Sequence, residues 1–326
     1  MAEAQAPLLF ALEGSRPLGE RIATRLGSAL APHEERDFGG GEHKARPLVE
    51  VAGRHAVIIG GLDAGAGGSA NDKLVRLLFF IGALKDAGAE RVTAVTPYLA
   101  YSRKDRRTKP RDPVSTRYLA TLVEAMETDR LVTVEVHNVA AFENAFRRCR
   151  SEHVPIAGLL AGHLADRFGD QPLAVVSPDS GGAKRGELLR RVLEGRLGRP
   201  VGKALMDKHR SSGEVSGSLF AGDLSGQTAI IVDDLISSGT TILRAAAACR
   251  AAGAVRVVAA AAHGLFTADS PLFGPERPDE VIVTDTIPLA AGLEERVTVL
   301  GVGDLLGDVV ARLHRGEAVS ELLPYD

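Results

Sequence analysis

The segment Ile230-Ile-Val-Asp-Asp-Leu-Ile-Ser-Ser-Gly-Thr-Thr-Ile-Leu243 limits this chain more than any other. A buried-type strand delivers two adjacent carboxylates, Asp233 and Asp234, at its end. A loop of small hydroxyl residues follows and runs straight into a helical stretch. The carboxyl end of a parallel strand is where open α/β sheets place ligands. A helix N-terminus adds unpaired N–H groups and the positive end of a dipole, which suit a phosphate. Ser237, Ser238, Thr240 and Thr241 contribute hydroxyl donors, and Gly239 lets the backbone approach closely. Two neighbouring acids cannot also hold a phosphate. They suit sugar hydroxyls, or a magnesium ion through water. In this order the parts describe a clamp for a ribose 5-phosphate; the plainer reading is a capped helix after an acidic turn.

The surrounding pattern is strand-helix alternation. His55–Ile59 reads as a strand, and the stretch from Asn71 to Asp86 as a helix with Leu74, Leu77, Leu78, Ile81 and Leu84 on one face. Arg91–Thr96, Leu131–Val136, Leu173–Val176, Thr228–Val232 and Val255–Ala260 read as further strands, with a helix over Thr241–Ala252. Such alternation predicts parallel sheets covered by helices. With 326 residues, two domains are expected. A faint repeat supports two related halves: Ala87-Gly-Ala-Glu-Arg-Val-Thr-Ala-Val95 resembles Ala252-Gly-Ala-Val-Arg-Val-Val-Ala-Ala260, each with a glycine closing a helix. The boundary is expected near Cys149 to Pro155, giving domains 1–152 and 153–326.

The ribose loop resembles the signature of type I phosphoribosyltransferases. Pro97-Tyr-Leu-Ala-Tyr-Ser-Arg-Lys-Asp-Arg106, Val175-Val-Ser-Pro-Asp-Ser-Gly-Gly-Ala-Lys-Arg185, Asp207-Lys-His-Arg210, His263-Gly-Leu-Phe266 and Thr284-Asp-Thr-Ile-Pro288 narrow the match. In that order they resemble the ribose-phosphate pyrophosphokinase (PRPP synthetase) family, from about Leu9 to about Gly303. The resemblance implies two tandem phosphoribosyltransferase-like α/β domains, each a mostly parallel sheet flanked by helices. It implies transfer of the pyrophosphoryl group of ATP to the 1-hydroxyl of ribose 5-phosphate, and a magnesium cofactor. It also implies a homo-oligomer, dimer-based or hexameric, in which the N-terminal half contacts ATP and builds the oligomer and the C-terminal half binds ribose 5-phosphate.

The same resemblance assigns roles. Lys208 and Arg210 match the cation pair that stabilises the transition state, on a polar, glycine-containing stretch that reads as a lid. His137 and Asp179 match the metal-binding pair. Phe38, Glu42, Arg103, Lys104 and Asp105 fall in ATP-binding stretches. The chain also departs from the pattern. Phe38-Gly-Gly-Gly-Glu42 stands for Phe-Ser-Asp-Gly-Glu, Lys104 for a glutamine, Ser237 and Ser238 for an aspartate and a threonine, and Glu135-Val-His137 for Asp-Leu-His. The stretch after His137 is diverged and carries extra residues before Pro155. These changes bear on nucleotide preference and control. They keep alive a second reading, a non-catalytic synthetase-like regulatory subunit. A third, a phosphoribosyltransferase that consumes PRPP, would not need the N-terminal half or the lid.

Composition removes other classes. A formal charge of −3 gives no reason to expect nucleic acid or an anionic membrane. Two cysteines, Cys149 and Cys249, make no disulfide framework, and neither has zinc spacing, so a reducing compartment and a cytoplasmic protein are expected. The start of the chain has no basic region ahead of an apolar run, so it does not read as a signal peptide. The most apolar segment, Ala245 to Ala262, contains Arg250 and Arg256 and is no membrane span. Gly65-Ala-Gly-Gly-Ser-Ala70 imitates a dinucleotide fingerprint but sits far from its strand and reads better as a surface loop. There is no Walker loop: Gly202-Lys203 is followed by Ala204.

Overall fold

The structure is a computed structural model, which describes residues 5–211 and 214–324, with side chains outside 207–219. It divides into two compact units, residues 1–154 with 302–322, and residues 155–301 with 323–326.

The first unit begins β1 (Leu8–Ala11), α1 (Arg16–Arg25), the hairpin β2 (His33–Asp37) and β3 (His43–Pro47), β4 (His55–Ile59) and α2 (Ala70–Asp86). It continues β5 (Arg91–Val95), α3 (Ser115–Ala125), β6 (Arg130–Val134), α4 (Val139–Ala145) and β7 (Arg150–Val154). Its main sheet has five strands in the order β1-β4-β5-β6-β7, all parallel. A parallel sheet is covered on both faces, which is why every residue of β4 is buried, His55 followed by the apolar Ala56, Val57, Ile58 and Ile59. The apolar stripe expected on α2 packs as expected, with Leu74, Leu77, Leu78, Ile81 and Leu84 buried. A fully buried side chain of this size contributes roughly 1.5–3 kcal/mol. Ser69 and Asp72 close the start of α2 as a reciprocal capping box, so the glycine-rich loop that imitates a dinucleotide fingerprint ends in an ordinary capped helix.

The second unit runs α5 (Ala157–Phe168), β8 (Leu173–Ser177), α6 (Ala183–Leu197), β9 (Gly202–Ser211), β10 (Glu214–Ala221), β11 (Thr228–Ile236), α7 (Thr240–Ala251), β12 (Arg256–Gly264), β13 (Glu280–Thr284) and β14 (Thr298–Leu300). Its seven strands lie in the order β10-β9-β8-β11-β12-β13-β14. All pairs are parallel except β10 with β9. The expected α/β class with mostly parallel sheets flanked by helices is therefore what the chain adopts.

Strand β11 is longer than its sequence suggests. It continues past Val232 to Ile236, because β12 keeps pairing with it, Asp233 with Ala261 and Ile236 with Gly264. The acid pair thus lies inside a strand and not beyond it. Strand β6, conversely, ends at Val134, and Glu135 has a positive φ of 43°. The helix expected from Asn71 starts one residue earlier, and that expected from Thr241 starts at Thr240.

The last helix, α8 (Gly303–Arg315), belongs to the first unit. The sequence predicts a second domain of residues 153–326. The difference comes from a close helix–helix approach that glycines permit. A Cβ on Gly303 would sit 2.6 Å from the Arg21 Cβ, and one on Gly307 2.5 Å from the Arg25 Cγ. Arg25 fixes the pairing with two hydrogen bonds to Asp308, at 2.8 and 2.9 Å. Among the described residues, no helix is long and apolar enough to cross a membrane.

Candidate active site

The ribose loop is held from below. Gly239 takes the left-handed conformation, φ 80°, as the residue preceding α7. A Cβ there would lie 2.7 Å from the Leu272 Cβ, so glycine is required by both backbone and space. The Ser270 hydroxyl donates to the Ser238 carbonyl at 3.1 Å, and the Leu265 N–H donates to the Ile236 carbonyl at 2.8 Å. Below the loop, the Thr284 hydroxyl donates to the Ala262 carbonyl (2.7 Å), and His263 Nδ1 lies 2.8 Å from the Thr286 hydroxyl. The sequence motifs at 263–266 and 284–288 thus brace the ends of β12 and β13 beside the loop. Above this frame Ser237, Ser238 and Thr240 are exposed and Thr241 half-buried, and the Ser238 and Thr240 hydroxyls lie 3.1 Å apart. No side chain among the described residues caps α7, so the N–H groups of its first turn have no side-chain acceptor.

The acid pair sits beside this rim. Asp234 is buried and Asp233 partly so. Burial and the neighbouring Asp234 carboxylate push the Asp233 carboxyl up to about 7, with the Arg185 guanidinium working in the opposite direction. Arg185, on the first turn of α6, lies 3.6 Å from Asp233 and 3.5 Å from Asp234. Arg185 closes the 175–185 motif, yet nothing in the sequence marks it as a site residue. Its signal was weak, since an arginine opening a helix is ordinarily a solvated residue.

Asp179 follows β8, the strand neighbouring β11, at the same end of the sheet. One of its carboxylate oxygens accepts the Gly182 N–H at 3.1 Å, capping a short 3-10 turn. Lys208 and Arg210 lie on β9, in register with Ser218 and Val215 of β10; their side chains lie outside the described residues.

In the first unit the other candidates occupy three loops. Phe38 and Glu42 close the β2–β3 hairpin, where the Phe38 N–H donates to the Glu42 carbonyl at 2.8 Å and the Arg36 guanidinium sits 5.0 Å over the Phe38 ring. Gly40 and Gly41 between them have φ of 91° and 88°. Arg103 is exposed in the connection from β5 to α3. Lys104 beside it is occupied, 2.5 Å from Asp112 and 2.9 Å from the Thr108 hydroxyl. His137 is exposed in the turn from β6 to α4. The structure brings the second and third loops together: the Asn138 amide donates to Asp105 at 2.6 Å.

Comparison with known proteins decides the lineage. The model for the N-terminal domain of ribose phosphate pyrophosphokinase matches residues 8–126, and that for the phosphoribosyl synthetase-associated domain matches residues 212–324. A provisionally named ribose-phosphate pyrophosphokinase 2 of Lactiplantibacillus plantarum is 34% identical over 96% of this chain and 95% of its own length. The chain belongs to the ribose-phosphate pyrophosphokinase family. The relative called ribose-phosphate pyrophosphokinase 1 in Streptococcus pyogenes is 32% identical over 96% of both chains. The crystal structure of phosphoribosylpyrophosphate synthetase from Mycobacterium smegmatis superposes with a TM-score of 0.85 at 31% identity, over 96% of this chain and all of that one. The resemblance read from the ordered motifs is therefore the true family.

Proposed function

We propose that this chain is a working ribose-phosphate pyrophosphokinase, which transfers the pyrophosphoryl group of ATP to the 1-hydroxyl of ribose 5-phosphate and yields PRPP and AMP. The observation that carries this reading is the frame around Gly239, which holds an uncapped helix start and a hydroxyl rim beside a buried acid pair. The rim at 237–241 takes the 5-phosphate, since N–H groups, hydroxyls and a helix dipole converge there. Asp233 and Asp234 accept hydrogen bonds from the 2- and 3-hydroxyls of the ribose, and the nearby Arg185 guanidinium favours the charged form of Asp233.

In the reaction the 1-hydroxyl oxygen bonds to the β-phosphorus of ATP. The bond between that phosphorus and the oxygen bridging to the α-phosphate breaks, AMP leaves with that electron pair, and the hydroxyl proton passes to solvent. Catalysis is positioning and charge stabilisation. Lys208 and Arg210 supply the positive charge on the moving group, on the strength of their place in the family motif. Phe38, Glu42, Arg103, Lys104 and Asp105 hold the nucleotide in this reading, although Lys104 must release Asp112 to do so. The first unit thus contacts ATP and the second ribose 5-phosphate.

Among the described residues no three His, Cys, Asp or Glu side chains gather into a metal cage, so a divalent cation would keep waters or substrate oxygens among its ligands. An acid pair whose ionisation is opposed by its own charge, and the half-buried carboxylate of Asp179, are the oxygen chemistry that magnesium takes. Asp179 and His137 would hold the ion, which neutralises triphosphate charge when bound. The reading includes a cytoplasmic homo-oligomer. Self-association is supported by exposed apolar pairs one helical turn apart, Val75 with Phe79 on α2 and Tyr118 with Leu122 on α3.

The test is product formation by purified protein with magnesium, ATP and ribose 5-phosphate. Equal amounts of AMP and PRPP are expected. Absence of both, with other nucleotide donors also tried, would overturn the reading.

A further inference from the structure

A cavity of about 630 Å³ opens in the first unit at the edge where β5, β6 and β7 begin. Each of these strands starts with an arginine, Arg91, Arg130 and Arg150, and all three line the cavity. Arg130 and Arg150 are register partners on adjacent strands. Like charges placed directly opposite one another destabilise a sheet, so this arrangement works against folding unless something answers it.

The protein answers it only in part. Glu152 pairs with Arg130. Asp129 is taken by Lys85, 2.5 Å away, and by the Val92 N–H. Glu124 accepts the backbone N–H groups of Arg147, Arg148 and Cys149. Among the described residues no carboxylate pairs with Arg91, Arg148 or Arg150, and all three line the cavity. Arg148 and Arg150 are exposed, while Arg91 is half-buried against the last carbonyls of α8. Among the described residues lining the cavity, Glu127 is the one carboxylate that makes no ion pair or side-chain hydrogen bond. Guanidinium groups with no direct carboxylate ion pair, Arg148 answered only at longer range by Glu124, around a concavity of this size are the chemistry that recognises phosphate oxygens.

We propose that this cavity is a binding site for a di- or polyphosphate anion, held by Arg91, Arg148 and Arg150. β5 and β7 are two strand spacings apart, roughly 10 Å, which is more than one tetrahedral phosphate spans and suits two or three linked ones. The site is separate from the proposed active centre. Arg103 and His137 follow the far ends of β5 and β6, a strand length of roughly 16 Å away. The proposal does not depend on which reaction the chain performs.

Calorimetric titration of the full chain with inorganic pyrophosphate, without magnesium, tests it. The wild-type chain is expected to show a binding event that weakens at least tenfold in an Arg148→Ala/Arg150→Ala variant. Both side chains are exposed and Arg150 faces Arg130, so the variant should melt no lower than the wild type. Glu127→Gln, which removes the opposing carboxylate, is expected to tighten the same event severalfold. Activity without added pyrophosphate should stay within twofold in both variants. Pyrophosphate affinity and stoichiometry equal to wild type in the double variant would overturn the proposal, as would no binding to the wild-type chain.

Discussion

Gly239 lies directly against Leu272, so closely that a Cβ on the glycine would stand 2.7 Å from the leucine's. Leu272 is itself fully buried. Gly239→Ala therefore combines left-handed strain with overpacking, and should lower stability by roughly 2 kcal/mol or more in urea denaturation. Leu272→Ala also destabilises, by leaving a cavity. Because the alanine at 239 would fill part of that space, the double variant should lose less than the sum of the two. Strict additivity would mean the two positions do not share one packing constraint.

Asp233 carries a trade between stability and binding. Its folded-state carboxyl is raised to about 7 from an ordinary 3.8. Between those values the folded protein holds the proton more tightly than the unfolded one, so this group's contribution to stability falls as pH rises from about 4 to about 7. Asp233→Asn removes the penalty and keeps an acceptor for the Asp234 N–H, 2.9 Å away. The variant should melt higher than wild type at pH 8 and no higher at pH 4. Its affinity for ribose 5-phosphate should drop in calorimetry; an unchanged affinity would remove Asp233 from the sugar site.

Arg185 works on the same carboxyl from the other side. Arg185→Met deletes the charge that lowers the Asp233 value. The pH at which ribose 5-phosphate binding rises with ionisation should then move upward. A binding profile superimposable on wild type would show that Arg185 does not govern the acid pair.

A buried histidine sets an acid limit on the first unit. His55 Nδ1 lies 3.0 Å from both the Arg91 guanidinium and His314 Nδ1, and His55 Nε2 lies 2.9 Å from the Thr93 hydroxyl. An arginine only donates, so His55 Nδ1 accepts and the ring is neutral. Burial first, then the charge of Arg91, holds this group down to about 3. The unfolded chain therefore binds more protons between about 6.5 and 3, and stability present above pH 6.5 is lost as pH falls through that window. His55→Gln should flatten the acid side of a plot of melting temperature against pH. An acid limb as steep as wild type would place the lability elsewhere.

The cation pair of β9 should act on the rate. Lys208→Ala and Arg210→Ala are expected to lower kcat on the order of a thousandfold with KM changed only a few-fold, as for groups that bind mainly the transition state. Steady-state kinetics decides, and wild-type kcat in either variant would remove that residue from catalysis.

Much of this architecture is legible in the residues because local signals and global packing agree. Leu74 to Leu84 keep helical spacing and are buried as that spacing demands. The repeated Ala-Gly-Ala segments mark equivalent turns: Gly88 and Gly253 follow α2 and α7 with φ of 85° and 90°. The less legible features are made by partners distant in sequence. Two aspartates do not advertise a strand, yet β12 pairs with Asp233 and carries β11 on to Ile236. Arg185 reaches the acid pair only because α6 starts beside β11, and Lys104 is engaged by Asp112 from within its own loop. The roles proposed for Lys208, Arg210, His137 and Asp179 rest on motif order, which tertiary contacts cannot supply.

The assignment of α8 to the first unit has a consequence for the order in which the molecule is made. Residues 1–154 leave the ribosome without the helix that covers α1, and Gly303, Gly307 and Asp308 arrive only after residues 155–301 have been synthesised. The unit begun first is thus completed only after nearly all of the intervening unit has been made. During that interval the face of α1 bearing Arg21 and Arg25 is bare. A nascent chain halted near residue 300 should carry a protease-resistant second unit beside a first unit that is still open to cleavage.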